Sequence, residues 1–365
     1  MKPVKFKPKP KQPSVFFSLP RDGITQSGIQ TFIDCSMKAK YKLKLGLDHG
    51  QYNPALDFGS LFHGVLDTVY SQRIGHGILK RDSNLLFWEE LCEQALEQWY
   101  TDTLESQELT PSQEQEFERL WGMCGTVLPY YFRRWQKDDS KLEWIAVEEI
   151  FDYTIHVSMP YLGVGGCDLV VPIRVRGKID GLVRYNGRLY LVEHKTKAEI
   201  AEMINKNGKV SCQAITEKMG YELQVNTYAL AIYEKYGEYP AGVIYNLIKR
   251  PGLIFKGTYN RKPESIPQFL ARVEDDLVKK GDEYFCRYRV RLYPREIEEF
   301  RNVELNHWLT RMYMWDRGLE PSVKQSKSCS MFRKPCEYLN ICAYGDTIGY
   351  TKRDTLFKEL TMIED

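Results

Sequence analysis

The sequence predicts a single α/β domain with helical insertions. Apolar residues recur at helical spacing in the first third of the chain. Branched and aromatic residues gather into strand-like runs after Leu142, and helical spacing returns from Ile266. Ile29, Phe32 and Ile33 share a helical face, and Ser27 followed by Gln30 has the form of a capping box. Leu61, Val65, Leu66 and Val69 give a helix over about Ser60 to Tyr70. A longer helical region follows from about Asn84 to Trp135, its stripe marked by Trp88, Leu91, Ala95, Leu96 and Trp99. Strands are expected at Trp144 to Ile150, Tyr153 to Val157, Val171 to Tyr185 and Arg188 to His194. A helix at about Tyr221 to Tyr236, a strand at Gly242 to Ile248, and helices at Ile266 to Phe285 and Pro294 to Arg317 complete the order. Ser326 to Tyr344 is irregular and rich in cysteine.

Composition narrows the function. With 43% hydrophobic and 27% charged residues, the 365-residue chain reads as a soluble globular protein. A net charge of +2 gives no support for a globally basic nucleic-acid binder, but a basic groove balanced by acidic surface is compatible with it. No apolar run approaches the ~18 residues of a membrane span. The Lys/Pro start, MKPVKFKPKPKQP, has no apolar signal core, so residues 1–18 read as a disordered basic tail and the protein as cytoplasmic. Nine cysteines in that compartment point to metal ligation or buried thiols before disulfides. No G-x-x-x-x-G-K-[ST] loop is present, so no P-loop motor is expected.

The chemistry concentrates in the segment from Gly177 to Lys195. Asn186-Gly187 between two apolar runs is a strong hairpin signal, because both turn residues need positive φ. With these two as the loop, Tyr185 pairs with Arg188, and counting back puts Asp180 opposite Glu193. Opposed residues share a face with Cβ atoms about 5 Å apart. Two facing carboxylates repel unless a cation sits between them, and Mg²⁺ or Mn²⁺ favours such oxygen ligands. Lys195, two residues after Glu193, projects from the same face. The alternative is a surface hairpin that happens to carry charge. The flanks Ile179, Leu182, Val183, Leu191 and Val192 argue for a buried sheet, where unpaired charge is costly.

Gly-Lys-Ile-Asp followed by Val-Glu-His-Lys-Thr resembles the core of the PD-(D/E)XK nuclease superfamily, in its RecB-like branch. Gly59 to His63 matches that branch's G-x-x-x-H, which implies His63 as a metal ligand. Gln224-Val225-Asn226-Thr227-Tyr228 matches its Gln-x-x-x-Tyr, which implies that Gln224 and Tyr228 support the active site and touch DNA. Cys35, with Cys329, Cys336 and Cys342, is similar to the split cysteine set that holds a 4Fe-4S cluster in some members. Here the spacing is C-x6-C-x5-C, wider at the start than the C-x2-C-x5-C of many members. Zinc on four cysteines and free buried thiols are the competing readings.

The resemblance implies a restriction-endonuclease-like core, a central mixed β-sheet flanked by helices. A helical insertion at about 71–141, a cluster segment at 326–345 and a C-terminal tail at 346–365 go with a single nuclease domain over 19–345. It implies hydrolysis of DNA phosphodiesters, with His63, Asp180, Glu193 and the His194 carbonyl holding Mg²⁺ or Mn²⁺ and Lys195 acting on the water or phosphate. Glu148 or Glu149 is a candidate to orient a water. Lys38, Lys40, Lys42, Lys44, Lys249, Arg250, Arg261 and Lys262 are candidates to line a DNA groove. The motorless layout is similar to exonucleases of phage recombination or CRISPR adaptation, acting on single strands or duplex ends, with partner proteins of those systems. The alternative from another class is a non-catalytic iron–sulfur protein that binds DNA ends.

Overall fold

The computed structural model describes residues 16–48, 57–75, 85–106, 108–159, 168–198, 200, 220–256, 262–331, 334–357 and 360. In chain order its elements begin with α1 (Leu19–Asp22), β1 (Ile24–Thr25), α2 (Gln26–Asp34), α3 (Ser36–Ala39), β2 (Leu47–Asp48) and α4 (Phe58–Ser71). Then come α5 (Leu85–Ser106), α6 (Pro111–Asp139), β3 (Glu143–Met159), β4 (Leu169–Tyr185), β5 (Arg188–Lys197), α7 (Leu223–Tyr236) and β6 (Gly242–Lys249). The order ends with α8 (Ile266–Tyr284), β7 (Phe285–Arg291), α9 (Pro294–Glu299), α10 (Asn306–Asp316), β8 (Ser330–Met331), β9 (Lys334–Pro335), α11 (Leu339–Tyr344) and β10 (Thr351–Lys352). The fold is α/β, built on a central mixed sheet with helices. Contacts divide the chain into two compact units. One comprises Met1–Gln51, Asp152–Gly177 and Asn302–Asp365, the other Tyr52–Phe151 and Lys178–Arg301.

In the larger unit, β4 pairs antiparallel with β5 from Gly181↔Val192 to Tyr185↔Arg188. Strand β5 runs parallel to β6, and β6 antiparallel to β7. The run Val243-Ile244-Tyr245-Asn246-Leu247-Ile248 is buried throughout, as a strand covered on both faces must be. Phe62, Val65, Leu66 and Val69 of α4, Val127 and Leu128 of α6, and Phe269 and Val273 of α8 share one core with Val192, Ile244 and Ile248 of the sheet. The long helical stretch divides in two where Thr110 and Gln113 form a capping box with Pro111 at the first turn. Of its expected stripe, Trp88, Ala95 and Leu96 are buried, while Leu91 and Trp99 are partly buried. The two strands expected at 144–150 and 153–157 are one strand, β3. Its inside–outside alternation lapses around Glu148, whose φ is 52°.

In the smaller unit, β1 lies parallel to the start of β4, Ile24 beside Val175. The cap of α2 is Thr25, whose side chain accepts from the Gly28 amide at 3.3 Å. The Ser27–Gln30 capping box therefore does not form. The helix begins two residues earlier than that motif requires, and Gln30 donates to Asp34 at 2.8 Å instead. Phe32 packs on Trp315 of α10, ring centres 5.4 Å apart. Residues expected as a C-terminal tail include β10, which pairs antiparallel with β2, and the buried Phe357 and Leu360. No described helix is long and apolar enough to cross a membrane. Of the tail expected over residues 1–18, residues 1–15 lie outside the described residues, while Phe17 is buried and Ser18 is the N-cap of α1.

Candidate active site

The hairpin turns at Asn186 (φ 48°) and Gly187 (φ 76°), the left-handed pair that a two-residue loop of this kind demands. Because the ladder runs from Tyr185↔Arg188 to Gly181↔Val192, Asp180 and Glu193 are the next residues along the two strands. The Asp180 carboxylate accepts from the His194 amide at 2.8 Å, so β4 is tied to the middle of Glu-His-Lys. Glu193 is 3% exposed. Lys195 donates to it at 2.5 Å, which fits side chains two residues apart on one face of a strand.

Helix α4 brings His63. Its N-cap is Asp57, which accepts from the Ser60 amide at 3.3 Å. A Cβ at Gly59 would lie 2.6 Å from the Thr196 hydroxyl, so the glycine of G-x-x-x-H lets the helix approach the strand next to Lys195. The rings of His63 and His194 meet edge to face at 5.9 Å.

Helix α7 brings Gln224 and Tyr228. The Gln224 amide group donates to Glu193 at 2.6 Å and to the Tyr228 hydroxyl at 3.1 Å, while its carbonyl accepts from Lys195 at 2.8 Å. Glutamine suits this position because it both donates and accepts. The structure therefore brings Asp180, Glu193, His194, Lys195, His63, Gln224 and Tyr228 into one connected region of the larger unit.

Charge and burial act together on the titratable groups of this region. Burial, then the charge of Asp180, pushes the Glu193 carboxyl up to about 8 against the pull of Lys195. Burial opposes the charge on Lys195, but Glu193, Asp180 and Glu222 outweigh it and raise its pKa. Burial lowers the His63 pKa despite the nearby Asp180, favouring the neutral imidazole that a metal requires. Three further residues belong here that sequence reasoning did not single out. Asp67, one turn after His63, is pushed up to about 7 by burial and by Asp180. Glu222, the N-cap residue of α7, accepts from the Tyr245 hydroxyl at 3.0 Å. Lys178 forms an ion pair with Glu148. The helical i, i+4 spacing of His63 and Asp67 was a usable signal.

The structure separates the two glutamates that the sequence left tied. Glu148 is paired with Lys178, whose charge is felt at His63 and Asp67. Glu149 instead binds Lys235 and the Tyr236 hydroxyl. Among the lysines suggested for a groove, Lys38 pairs with Glu337 at 3.0 Å, and Lys44 is held by the Trp315 carbonyl at 2.7 Å and by its ring. These two are structural. Lys40, Arg250 and Lys262 are exposed, and Arg261 lies outside the described residues.

In the smaller unit, Cys35, Cys329, Cys336 and Cys342 line one hollow together with Tyr41 and Tyr338. The segment after α10 already docks on α2 and α3 here. Ser328 donates to the Asp34 carbonyl at 2.6 Å, and the Met37 amide to the Val323 carbonyl at 3.2 Å. Cys92, Cys124 and Cys286 are buried elsewhere, while Cys167 and Cys212 lie outside the described residues. Among the described residues, no three His, Cys, Asp or Glu side chains converge on a point where one metal ion could sit. In the catalytic region Glu193 is turned to Lys195 and Gln224, and Asp180 to the His194 amide.

A search of curated proteins finds no match. Among solved structures, one described as "Crystal structure of SSO0001" is 15% identical, covering 59% of this chain and 74% of that chain with a TM-score of 0.17. That likeness is too slight to bear on fold or site. The profile of the PD-(D/E)XK nuclease superfamily matches residues 23–343, a span that contains the whole hairpin, α4 and α7. The chain belongs to the PD-(D/E)XK nuclease superfamily.

Proposed function

We propose that the protein is a metal-dependent DNA exonuclease acting on single strands or duplex ends. The observation that carries this reading is the pair Asp180 and Glu193, at adjacent places on a buried hairpin, with Lys195 and Gln224 bonded to the same Glu193 oxygen. A buried carboxylate beside a half-buried one, with one ammonium partner, is costly, and a divalent cation relieves that cost. Asp180, Glu193, His63 and the His194 carbonyl would hold Mg²⁺ or Mn²⁺. Bound there, the ion supplies charge stabilisation at the phosphate and a more acidic water. Lys195 neutralises charge developing on the phosphate oxygens. Gln224 orients Lys195 and Glu193, and Tyr228 orients Gln224.

Cys35, Cys329, Cys336 and Cys342 are proposed to hold a 4Fe-4S cluster. They come from two parts of the chain about 300 residues apart yet line one hollow. In such a cluster each thiolate has its own iron, so the four sulfurs need not meet at a single point. Zinc on the same four thiolates is the competing occupant.

Cleavage of end-labelled single-stranded and duplex DNA with Mg²⁺ or Mn²⁺ tests the nuclease reading. Wild type should cut from ends, and Lys195→Ala should lose about 10²-fold or more in kcat. Wild type that binds ends without cutting would make the chain a non-catalytic end-binding protein. Equal rates in both proteins would remove Lys195 from the site.

A further inference from the structure

Behind the catalytic hairpin, in the same unit, lies a buried polar network with no direct part in the chemistry proposed above. It begins at Asp139, at the C-terminal end of α6, which is 5% exposed. Arg287 of β7 forms an ion pair with it, Tyr70 of α4 donates to it at 2.8 Å, and Arg73 donates to its carbonyl at 2.7 Å. Tyr131 of α6 receives hydrogen bonds from Arg287, at 3.1 Å, and from the Asn246 side chain. Its own proton is then left for the Tyr70 oxygen, 3.0 Å away. Asn246 of β6, fully buried, is the link to the hairpin, because its amide nitrogen lies 2.7 Å from His194 Nδ1.

The direction of these bonds is fixed. A guanidinium only donates, so the Asn246 carbonyl must face Arg287 Nε, at 3.4 Å. The Asn246 NH₂ group therefore faces Tyr131 and His194, and Nδ1 of His194 must accept. The imidazole proton sits on Nε2. The same residue's backbone amide holds Asp180. Tyr70, stacked on the His194 ring at 5.8 Å, belongs to the helix that carries His63.

We infer that Asn246 is a positioning residue for the metal site. It fixes the tautomer and ring of His194, and through Tyr131, Tyr70, Arg287 and Asp139 it locks the strand bearing Glu193 and Lys195 against the helix bearing His63. This inference rests on the nuclease reading. The spacing between His63 and the carboxylates is set by this network, in which Arg73 Nε has no hydrogen-bond partner among the described residues.

The test is Asn246→Asp, whose carboxylate has no proton for Nδ1 and draws the imidazole proton there instead. The ¹⁵N spectra of histidine-labelled protein, with His194→Gln to assign the signal among six histidines, report the tautomer without metal or DNA. Wild type should show Nε2–H and Asn246→Asp Nδ1–H. The Mn²⁺ dissociation constant, by calorimetry, should rise about 10-fold or more, while KM for DNA at saturating Mn²⁺ stays within twofold. Tyr131→Phe keeps the packing and removes one anchor of Asn246. It should weaken Mn²⁺ in the same direction, and it stands in if Asn246→Asp does not fold. Wild type with Nδ1–H, or Mn²⁺ affinity unmoved in a folded variant, overturns the inference. Wild type that neither binds Mn²⁺ nor cuts DNA overturns the nuclease reading first.

Discussion

Asp67 shows how one residue can belong to a site that its sequence context hides. It sits one helical turn from His63, is mostly buried, and its carboxyl is pushed up to about 7 by burial and by Asp180. An acid on an amphipathic helix ordinarily belongs to the solvated face, and only its i, i+4 spacing from His63 sets this one apart in the sequence. Asp67→Asn should weaken Mn²⁺ binding about tenfold with little loss of thermal stability, since an isosteric amide relieves the buried repulsion. Titration calorimetry and a melting curve check the two halves of that expectation, and an unchanged affinity places Asp67 outside the site. Glu148 and Glu149 make the same point from the other side. Adjacent in sequence, they meet different partners, Lys178 for Glu148 and Lys235 for Glu149, at the place where β3 takes a left-handed step.

At the scale of elements, the hairpin was legible because its cause is local. Asn-Gly is followed by the turn it specifies, and that turn fixes the register down to Gly181↔Val192, next to Asp180 and Glu193. Gly187→Val should cost about 1–2 kcal/mol in unfolding free energy, because a β-branched residue is poorly suited to φ of 76°. Denaturant melts measure that cost, and a loss of cleavage larger than the loss of folded protein would mean that the register itself has shifted. Helix α4 depends on its glycine in a different way. Gly59→Leu places its Cβ 2.6 Å from the Thr196 hydroxyl, so either that side chain rotates or α4 shifts away from β5, and the larger leucine side chain favours the shift. Cleavage should fall by about 10²-fold even in the folded fraction, because a shift near 1 Å at a site of this kind is that costly. Activity unchanged in folded Gly59→Leu would mean that α4 need not touch the strand. The capping box at Ser27 misled because Thr25 two residues earlier offers the same hydroxyl chemistry and lies at the true helix start.

At the scale of the whole molecule, Cys35 lines one hollow with Cys329, Cys336 and Cys342, about 300 residues further along the chain. Cys35→Ser should lose most of the bound iron and its visible absorption, and should melt at a lower temperature than wild type. Iron analysis of anaerobically purified protein decides this. Stoichiometric zinc in place of iron, or full iron in the variant, removes the cluster assignment.

The sequence by itself determined the α/β class, most of the helices and the β4–β5 hairpin, because these follow from hydrophobic period and turn chemistry over short stretches, whereas β1 and β7 were not anticipated, β3 was split in two and α5 and α6 were merged. It also supplied Asp180, Glu193 and Lys195 from alternation along two strands, and His63, Gln224 and Tyr228 by likeness to a family. Only the tertiary structure decided which charges face one another. Asp67 meets Asp180, Gln224 reaches across to Glu193 and Lys195, and Asp139 speaks to His194 through Arg287, Tyr131 and Asn246. Those contacts join residues up to 156 positions apart, and their strength depends on burial, which no local pattern encodes.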